Sequence, residues 1–383
     1  MSIADHYSRF RVAERVLLTG HSHQAWPDVG FAAQQRAWLD AAEFVDDKWA
    51  RAEEQAALVR AGFARLLGDA PEQIALGQNT HELVTRWLSA LPWRQRSKVI
   101  TTNGEFHTIR RQIDRLAEER IEVIRVPARP VTELAARLER AIDSGTIAVL
   151  VSSVLFETAE IVPGLERVAA ACEAHGASLL VDAYHHLNVV PFDVDAMGLA
   201  SAFVTGGGYK YCQLGEGACF LRVPPGREHR PLLTGWFAEF DGLGHTALRR
   251  QVAYGPGAAA FAGATYDPTA HYRAAAVFDF HVRHGLTAER LRAISAAQVA
   301  LLEDALRALD VPRARAELIE VPAAQRGGFL AIRTSDAAAI VVRLRARHVY
   351  VDARGEILRL GPAPYVSDAQ LRDGVAALGA ALR

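Results

Sequence analysis

The sequence predicts an α/β protein, with a mostly parallel sheet covered by helices in a large domain and a smaller α+β domain at the C-terminal end. Three observations carry this. Between about residues 80 and 205, stretches with helical spacing alternate with short strand-like segments, as the crossovers of a parallel sheet require. Two of those segments contain unbroken apolar runs, AVLV and LLV, which suit strands buried on both faces. Past Pro224 the texture changes to a glycine- and proline-rich stretch, a long helical segment and then closely spaced short strands.

Taken in order, the stretch to about Pro27 reads as an irregular arm with one short apolar strand, Val16-Leu17-Leu18. Residues 28–68 read as helix, with Trp38, Phe44, Trp49, Leu58 and Phe63 set among good helix formers. Helix 80–91 precedes strand 98–102, and helix 106–119 precedes strand 121–126. Helix 132–143 is followed by strand 146–152, and helix 163–175 by strand 177–182. Further strands are expected at 201–205 and 217–223, then a loop-rich region at 224–270. A helical stretch over 270–307 leads to strands near 316–320, 328–333, 348–352 and 356–360, with helices at 335–346 and 367–382. The expected division is an arm at 1–27, a large domain at 28–268 and a small domain at 269–383.

Composition excludes several classes. Of 383 residues, 50% are apolar and 23% charged, enough for a sizeable core. A net charge of −1 gives no electrostatic case for nucleic acid or an anionic membrane as partner. No apolar run has the length of a membrane span, and the start MSIADHYSRFRVAERV lacks a signal-peptide core. Three cysteines without a CxxC argue against a disulfide framework or zinc knuckle, so a cytoplasmic protein is expected. His21-Ser22-His23 has no acidic or cysteine cluster to complete a metal site, and none is expected.

Only three of the 43 Lys and Arg residues are lysines, and Lys210 stands in Gly206-Gly207-Gly208-Tyr209-Lys210-Tyr211. A lysine kept in so arginine-rich a chain suggests chemistry that a guanidinium, never deprotonated, cannot perform. Ligands of open parallel sheets bind beyond the carboxyl ends of the strands. Asp182 ends the run LLVD and Lys210 follows the next strand, so both can reach one crevice. An imine-forming lysine beside an aspartate is what pyridoxal 5′-phosphate (PLP) requires: the lysine takes the aldehyde and the carboxylate keeps the pyridine nitrogen protonated. The plain alternatives are a snorkelling lysine and a strand-end turn aspartate.

Asp182-Ala183-Tyr184-His185, Gly207-Gly208-Tyr209-Lys210-Tyr211 and Gly215-Glu216-Gly217 resemble the PLP site of the kynureninases, members of the class V aminotransferase superfamily with the PLP-dependent transferase fold type I. That family's pattern is Asp-x-Ala-His, then Ser-Tyr-Lys-Tyr and Gly-Pro-Gly. The resemblance follows element order through most of the chain, with its motifs concentrated in about 180–217. It implies a homodimer with composite active sites that hydrolyses the Cβ–Cγ bond of L-kynurenine, or a related β-acyl amino acid, to an anthranilate-type acid and L-alanine. Lys210, Asp182, Tyr209 and His185 would be catalytic. Thr80 and His81, after Gly77-Gln78-Asn79, would bind the phosphate at a helix start, where an ordinary Asn/Thr cap is equally economical. Phe106 would stack on the cofactor, His185 would approach its phenolic oxygen or phosphate, and Tyr209 would donate to the phosphate. Trp236 and Thr265 would bind the cofactor from loops that cross the dimer interface. Phe106 and Trp236 are otherwise ordinary core aromatics.

Arg359, in Leu358-Arg359-Leu360-Gly361-Pro362-Ala363-Pro364, resembles the family's arginine for the substrate α-carboxylate. His21 and Ser22 would lie near the substrate, as would Asp267. Departures fall mainly on the aryl side. Phe106-His107-Thr108-Ile109 lacks the family's aspartate, Asp267 stands for an asparagine, and Tyr184 stands for an alanine. A cysteine desulfurase needs a mobile cysteine before the last helices, and Asp352–Pro364 has none. The alternatives are a class V aminotransferase or lyase acting on another amino acid, a non-catalytic relative, and a hydrolase built on His21, His23, His185 and His186, which lacks a nucleophile.

Overall fold

The computed structural model describes residues 2–245, 251–309 and 311–383. A seven-stranded sheet runs β1-free through the large unit, since the first strand, β1 (Val16–Leu17), belongs elsewhere. Its strands are β2 (Ile74–Gly77), β3 (Lys98–Thr102), β4 (Glu122–Val126), β5 (Thr146–Ser152), β6 (Ser178–Asp182), β7 (Phe203–Gly207) and β8 (Cys219–Arg222). Their order is β2-β8-β7-β6-β5-β3-β4, and β8 alone runs opposite to the other six. Every residue of β5 and β7 is buried, as the unbroken apolar runs require. β2, a four-residue strand without a periodic signal, went unanticipated.

Helices cover both faces. On one side α2 (Lys48–Leu67), α5 (Leu134–Ala141), α6 (Leu165–His175) and α7 (Thr269–Arg283) enclose a core that includes Phe63, Val149, Val181 and Phe278. On the other, α3 (Thr80–Ser89) and α4 (His107–Glu118) bury Trp87, Ile113 and Leu180. The helix expected over 28–68 is two: α1 (Val29–Phe44) ends at Val45, whose φ of 49° no helix accepts. The turn lets both helices reach α7, with Gly30 against Arg273 and Gly62 against the Phe278 ring. The helix expected over 270–307 also divides. Gly285 takes φ 58°, and Thr287 caps α8 (Ala288–Arg307) by accepting from the Arg290 amide at 3.3 Å.

The smaller unit carries a four-stranded antiparallel sheet ordered β12-β13-β10-β9. Its strands are β9 (Glu317–Leu318), β10 (Leu330–Arg333), β12 (Asp352–Arg354) and β13 (Ile357–Leu360). The strand expected at 348–352 changes sheets. β11 (Val349–Tyr350) pairs in parallel with β1, while Asp352 opens β12 directly opposite Arg359. Helices α9 (Ala337–Arg345) and α10 (Asp368–Leu382) complete the unit, and Tyr7, Leu17 and Leu18 of the arm share its core. Because α7 packs into the large unit's core, we propose that the large unit ends near 284–287, later than the boundary at 268 read from the sequence. Among the described residues no helix is long and apolar enough to cross a membrane.

Candidate active site

A cavity of about 220 Å³ opens at the carboxyl ends of β5, β6 and β7. Lys210, Asp182, His185, Tyr209, Phe106, Thr80 and His81 all line it. Seven expected site residues, drawn from segments far apart in the chain, therefore meet in one place.

Lys210 reaches the cavity because the chain leaves β7 through glycines that give room rather than unusual angles. A Cβ on Gly207 would strike the Cys219 sulfur and the Tyr184 phenol, and one on Gly208 would strike Leu214. The Lys210 amine lies 2.8 Å from His185 Nε2 and 4.3 Å from the centre of the Tyr184 ring. Burial lowers its pKa from 10.5 to about 7. The Arg359 and Arg354 charges push the same way, and Asp182 opposes them. A neutral amine is thus accessible near neutrality. Burial holds His185 well below its ordinary pKa, leaving the ring neutral, and its Nδ1 finds no partner among the described residues.

Asp182 ends β6. Its Oδ1 accepts the Tyr184 amide at 2.8 Å, and among the described residues no hydrogen bond reaches Oδ2. Burial raises its pKa, against the Tyr184 hydrogen bond and the Lys210 charge. Tyr184, where the resembled family has alanine, fits because Gly207 leaves space for its ring; its hydroxyl lies 3.8 Å from Cys219 Sγ. The Tyr209 phenol is raised to about 12 by burial and remains a donor at neutral pH. α3 begins on the cavity wall: Asn79 caps it through the Glu82 amide at 2.8 Å, and Gln78, Asn79 and Thr80 face the space. His81 Nδ1 meets Gln112 Nε2 at 2.6 Å. Phe106 packs edge-on against Phe156, its ring centre 5.3 Å from the Lys210 amine.

The other expected residues sit apart from this cavity's lining. Trp236 Nε1 donates to Thr265 Oγ1 at 2.9 Å. Asp267 accepts from the amide and hydroxyl of Thr269, closing the turn into α7. The Ser22 hydroxyl donates to the Thr19 carbonyl at 3.1 Å. His21 is fully buried, with Nε2 at 2.6 Å from Asp352 Oδ1. Arg359, also buried, already spends its fork: Nε and Nη2 donate to the two Asp352 oxygens at 3.0 and 2.5 Å, and Nη1 to the Phe156 carbonyl at 2.6 Å. His23, by contrast, stacks on Tyr209 with ring centres 4.8 Å apart.

Sequence reasoning passed over Ser152, Glu105 and Asp352. Ser152 ends β5 beside Asp182, where the strand-end rule could have found it. Behind it lies Glu105, which accepts from the Ser152 hydroxyl at 2.6 Å and the Thr102 hydroxyl at 2.7 Å. Burial raises Glu105 to about pKa 7 despite those bonds. A raised acid favours the folded state below its unfolded value of 4.5, and that contribution is lost as pH climbs through about 7. Melting curves of Glu105→Gln should accordingly lack the decline that the parent shows between those limits, up to ~1.4 kcal/mol per pH unit. Parallel pH profiles for the two proteins would refute that assignment.

A family model for the kynureninase C-terminal domain matches residues 291–378. An uncharacterized aminotransferase, YcbU of Bacillus subtilis (strain 168), is 24% identical over an aligned length of 348, with 88% of this chain and 87% of that one covered. Among solved structures, a C-DES mutant with glycine covalently linked to its PLP cofactor superposes with a TM-score of 0.86 at 18% identity, covering 99% of both chains. A complex of the cystine C–S lyase C-DES with cysteine persulfide gives 0.82 at 19% identity, covering 96% of this chain and 98% of that one. The cysteine desulfurase of Thermococcus onnurineus NA1 gives 0.81 at 16%, covering 99% and 98%. The fold is that of the fold type I PLP-dependent enzymes.

Proposed function

We propose that this chain is a PLP-dependent enzyme acting on an amino acid, and that it hydrolyses the Cβ–Cγ bond of L-kynurenine or a related β-acyl amino acid. The observation carrying the cofactor reading is a buried lysine amine with its pKa lowered to about 7, sharing a strand-end cavity with Asp182 and the start of α3. The donors present suit the group. Lys210 supplies the amine, Asp182 an oxygen for the ring nitrogen, Phe106 a face, and His185 an unpartnered Nδ1. Thr80 and the first amides of α3 supply a phosphate seat.

When bound, PLP withdraws electrons from the substrate α-carbon, which makes bond cleavage around that carbon accessible. The chain's part is proton management and orientation. Lys210, neutral above about pH 7, takes the proton from the substrate α-carbon. Tyr209 and His185, a protonated phenol and a neutral imidazole, would move protons at the substrate carbonyl, a role supported by their place on the cavity wall. Asp182 holds the ring nitrogen's proton, and Arg359 is the seat proposed for the α-carboxylate.

The kynureninase-type choice is supported by the match over 291–378, which includes Arg359. A C–S lyase or aminotransferase acting on another amino acid is the second reading, favoured by the likeness to C-DES and by YcbU. Cysteine desulfurase chemistry has less support: all three cysteines are buried, and burial pushes the Cys219 thiol, on the cavity wall, up to about 12. Composite sites in a homodimer are also proposed. Phe31, Trp38 and Leu39 on α1, and Leu232, Leu233 and Trp236, leave apolar surface exposed.

The test is direct. Purified protein given PLP should acquire a visible band that borohydride traps at Lys210. It should then release L-alanine and an anthranilate-type acid from L-kynurenine or 3-hydroxykynurenine. A colourless protein that refuses PLP would end the cofactor reading. A coloured protein that leaves both substrates intact, but transaminates or cleaves cystine, would move the activity to the second reading.

A further inference from the structure

We propose that Asp352 is a specificity-determining latch on Arg359, holding the guanidinium fork closed until a substrate carboxylate displaces it onto Arg354. The inference rests on the functional reading above and adds a residue to it. β12 and β13 pair so that Asp352 stands directly opposite Arg359. Both carboxylate oxygens engage the fork, at 3.0 and 2.5 Å, which is the geometry a substrate carboxylate would use. Phe156, whose side chain lines the cavity, takes a further guanidinium N–H through its carbonyl at 2.6 Å. Arg359 is thus one residue removed from the cavity, with the donors a substrate needs already committed.

Asp352 has somewhere to go. Arg354 Nη2 lies 3.6 Å from its Oδ2, and the Arg354 side chain is 38% exposed, with Nη1 donating to the Ala353 carbonyl at 2.9 Å and Nη2 turned toward Asp352. His21 Nε2, at 2.6 Å from Oδ1, remains as a pivot. The charges favour the exchange. Burial and the Arg359 charge lower His21 to about pKa 4, so it is neutral at pH 7. Two arginines against one carboxylate then leave a single positive charge unbalanced, and one incoming carboxylate neutralises it. The internal competitor also filters ligands. A substrate must present both oxygens to displace Asp352, whereas an amine without a carboxylate gains nothing from the exchange.

The PLP-loaded protein would be titrated with L-alanine and, separately, with ethylamine, following the visible absorbance as a measure of binding. If the released state is a minor fraction of the population, Asp352→Asn should tighten L-alanine about tenfold and leave ethylamine unchanged. Arg354→Met, at a half-buried position, should weaken L-alanine several-fold and again spare ethylamine. Unchanged or weaker L-alanine binding by Asp352→Asn overturns the latch. If that variant fails to fold by circular dichroism, Arg354→Met decides alone, and wild-type affinity there overturns it. A wild-type protein that never takes up PLP removes the functional reading and the latch together. A responsive wild type with indifferent variants removes only the latch.

Discussion

Lys210→Ala is expected to lower turnover by ~10³-fold or more while barely moving the melting temperature. The amine is the one group in the cavity that can both take an aldehyde and carry a proton at the substrate α-carbon. Its loss only enlarges a space that already exists beside Tyr184 and Phe106. Lys210→Arg should fare no better, because a guanidinium keeps its proton throughout the working range. The parent's rate of PLP capture should rise with pH through about 7, since burial lowers the amine's pKa and the reactive neutral form dominates above that value. Stopped-flow capture rates across pH 5.5–9 check the sign. A limb that only begins near the ordinary lysine value would show that the amine is not desolvated as described.

Asp182→Asn carries the second large effect, on the order of 10²–10³-fold in turnover. An amide can still accept the Tyr184 N–H, so the end of β6 should hold its shape. What it cannot do is keep a ring nitrogen protonated. The same substitution removes a negative charge that raises the Lys210 pKa, so the rising limb of PLP capture should move below pH 7. Loss of turnover together with that displaced limb ties the two residues electrostatically. Full turnover in the variant would place the ring nitrogen's partner elsewhere.

The large unit was legible because its physics is local. β5 falls at the expected residues, since an unbroken apolar strand between helical segments admits few alternatives, and β3, a β-branched run of four after Lys98, does so as well. That Lys210 and Asp182 share one cavity is legible for a related reason: strand-end positions are set by the order of elements, whatever the packing. Other features depended on contacts the sequence does not advertise. The break at Val45 follows from two helices competing for α7, and nothing in residues 40–50 marks it as strongly as Gly285 and Thr287 mark theirs. Expectations for substrate residues ran into the same limit. Arg359 was chosen by its motif, but its committed fork depends on the register of β12 against β13, which follows from pairing. Asp267, expected near the substrate, closes the turn into α7 through its Oδ1, a contact the sequence motif does not reveal.

The pairing of β1 with β11 has a consequence for how the molecule is assembled. His21 and Asp352 lie 331 residues apart in the chain, each just past a member of the β1–β11 pair, and those two strands are among the most distant partners in the fold. On a ribosome the large sheet can close while Asp352 is still unmade, leaving residues 16–21 waiting for their strand partner. Loop closure over such a span is slow relative to local folding. Any protein released before residue 349 would therefore carry every residue that lines the Lys210 cavity but lack the Asp352 carboxylate that holds His21 Nε2. The oldest part of the nascent chain is put in place by some of the youngest.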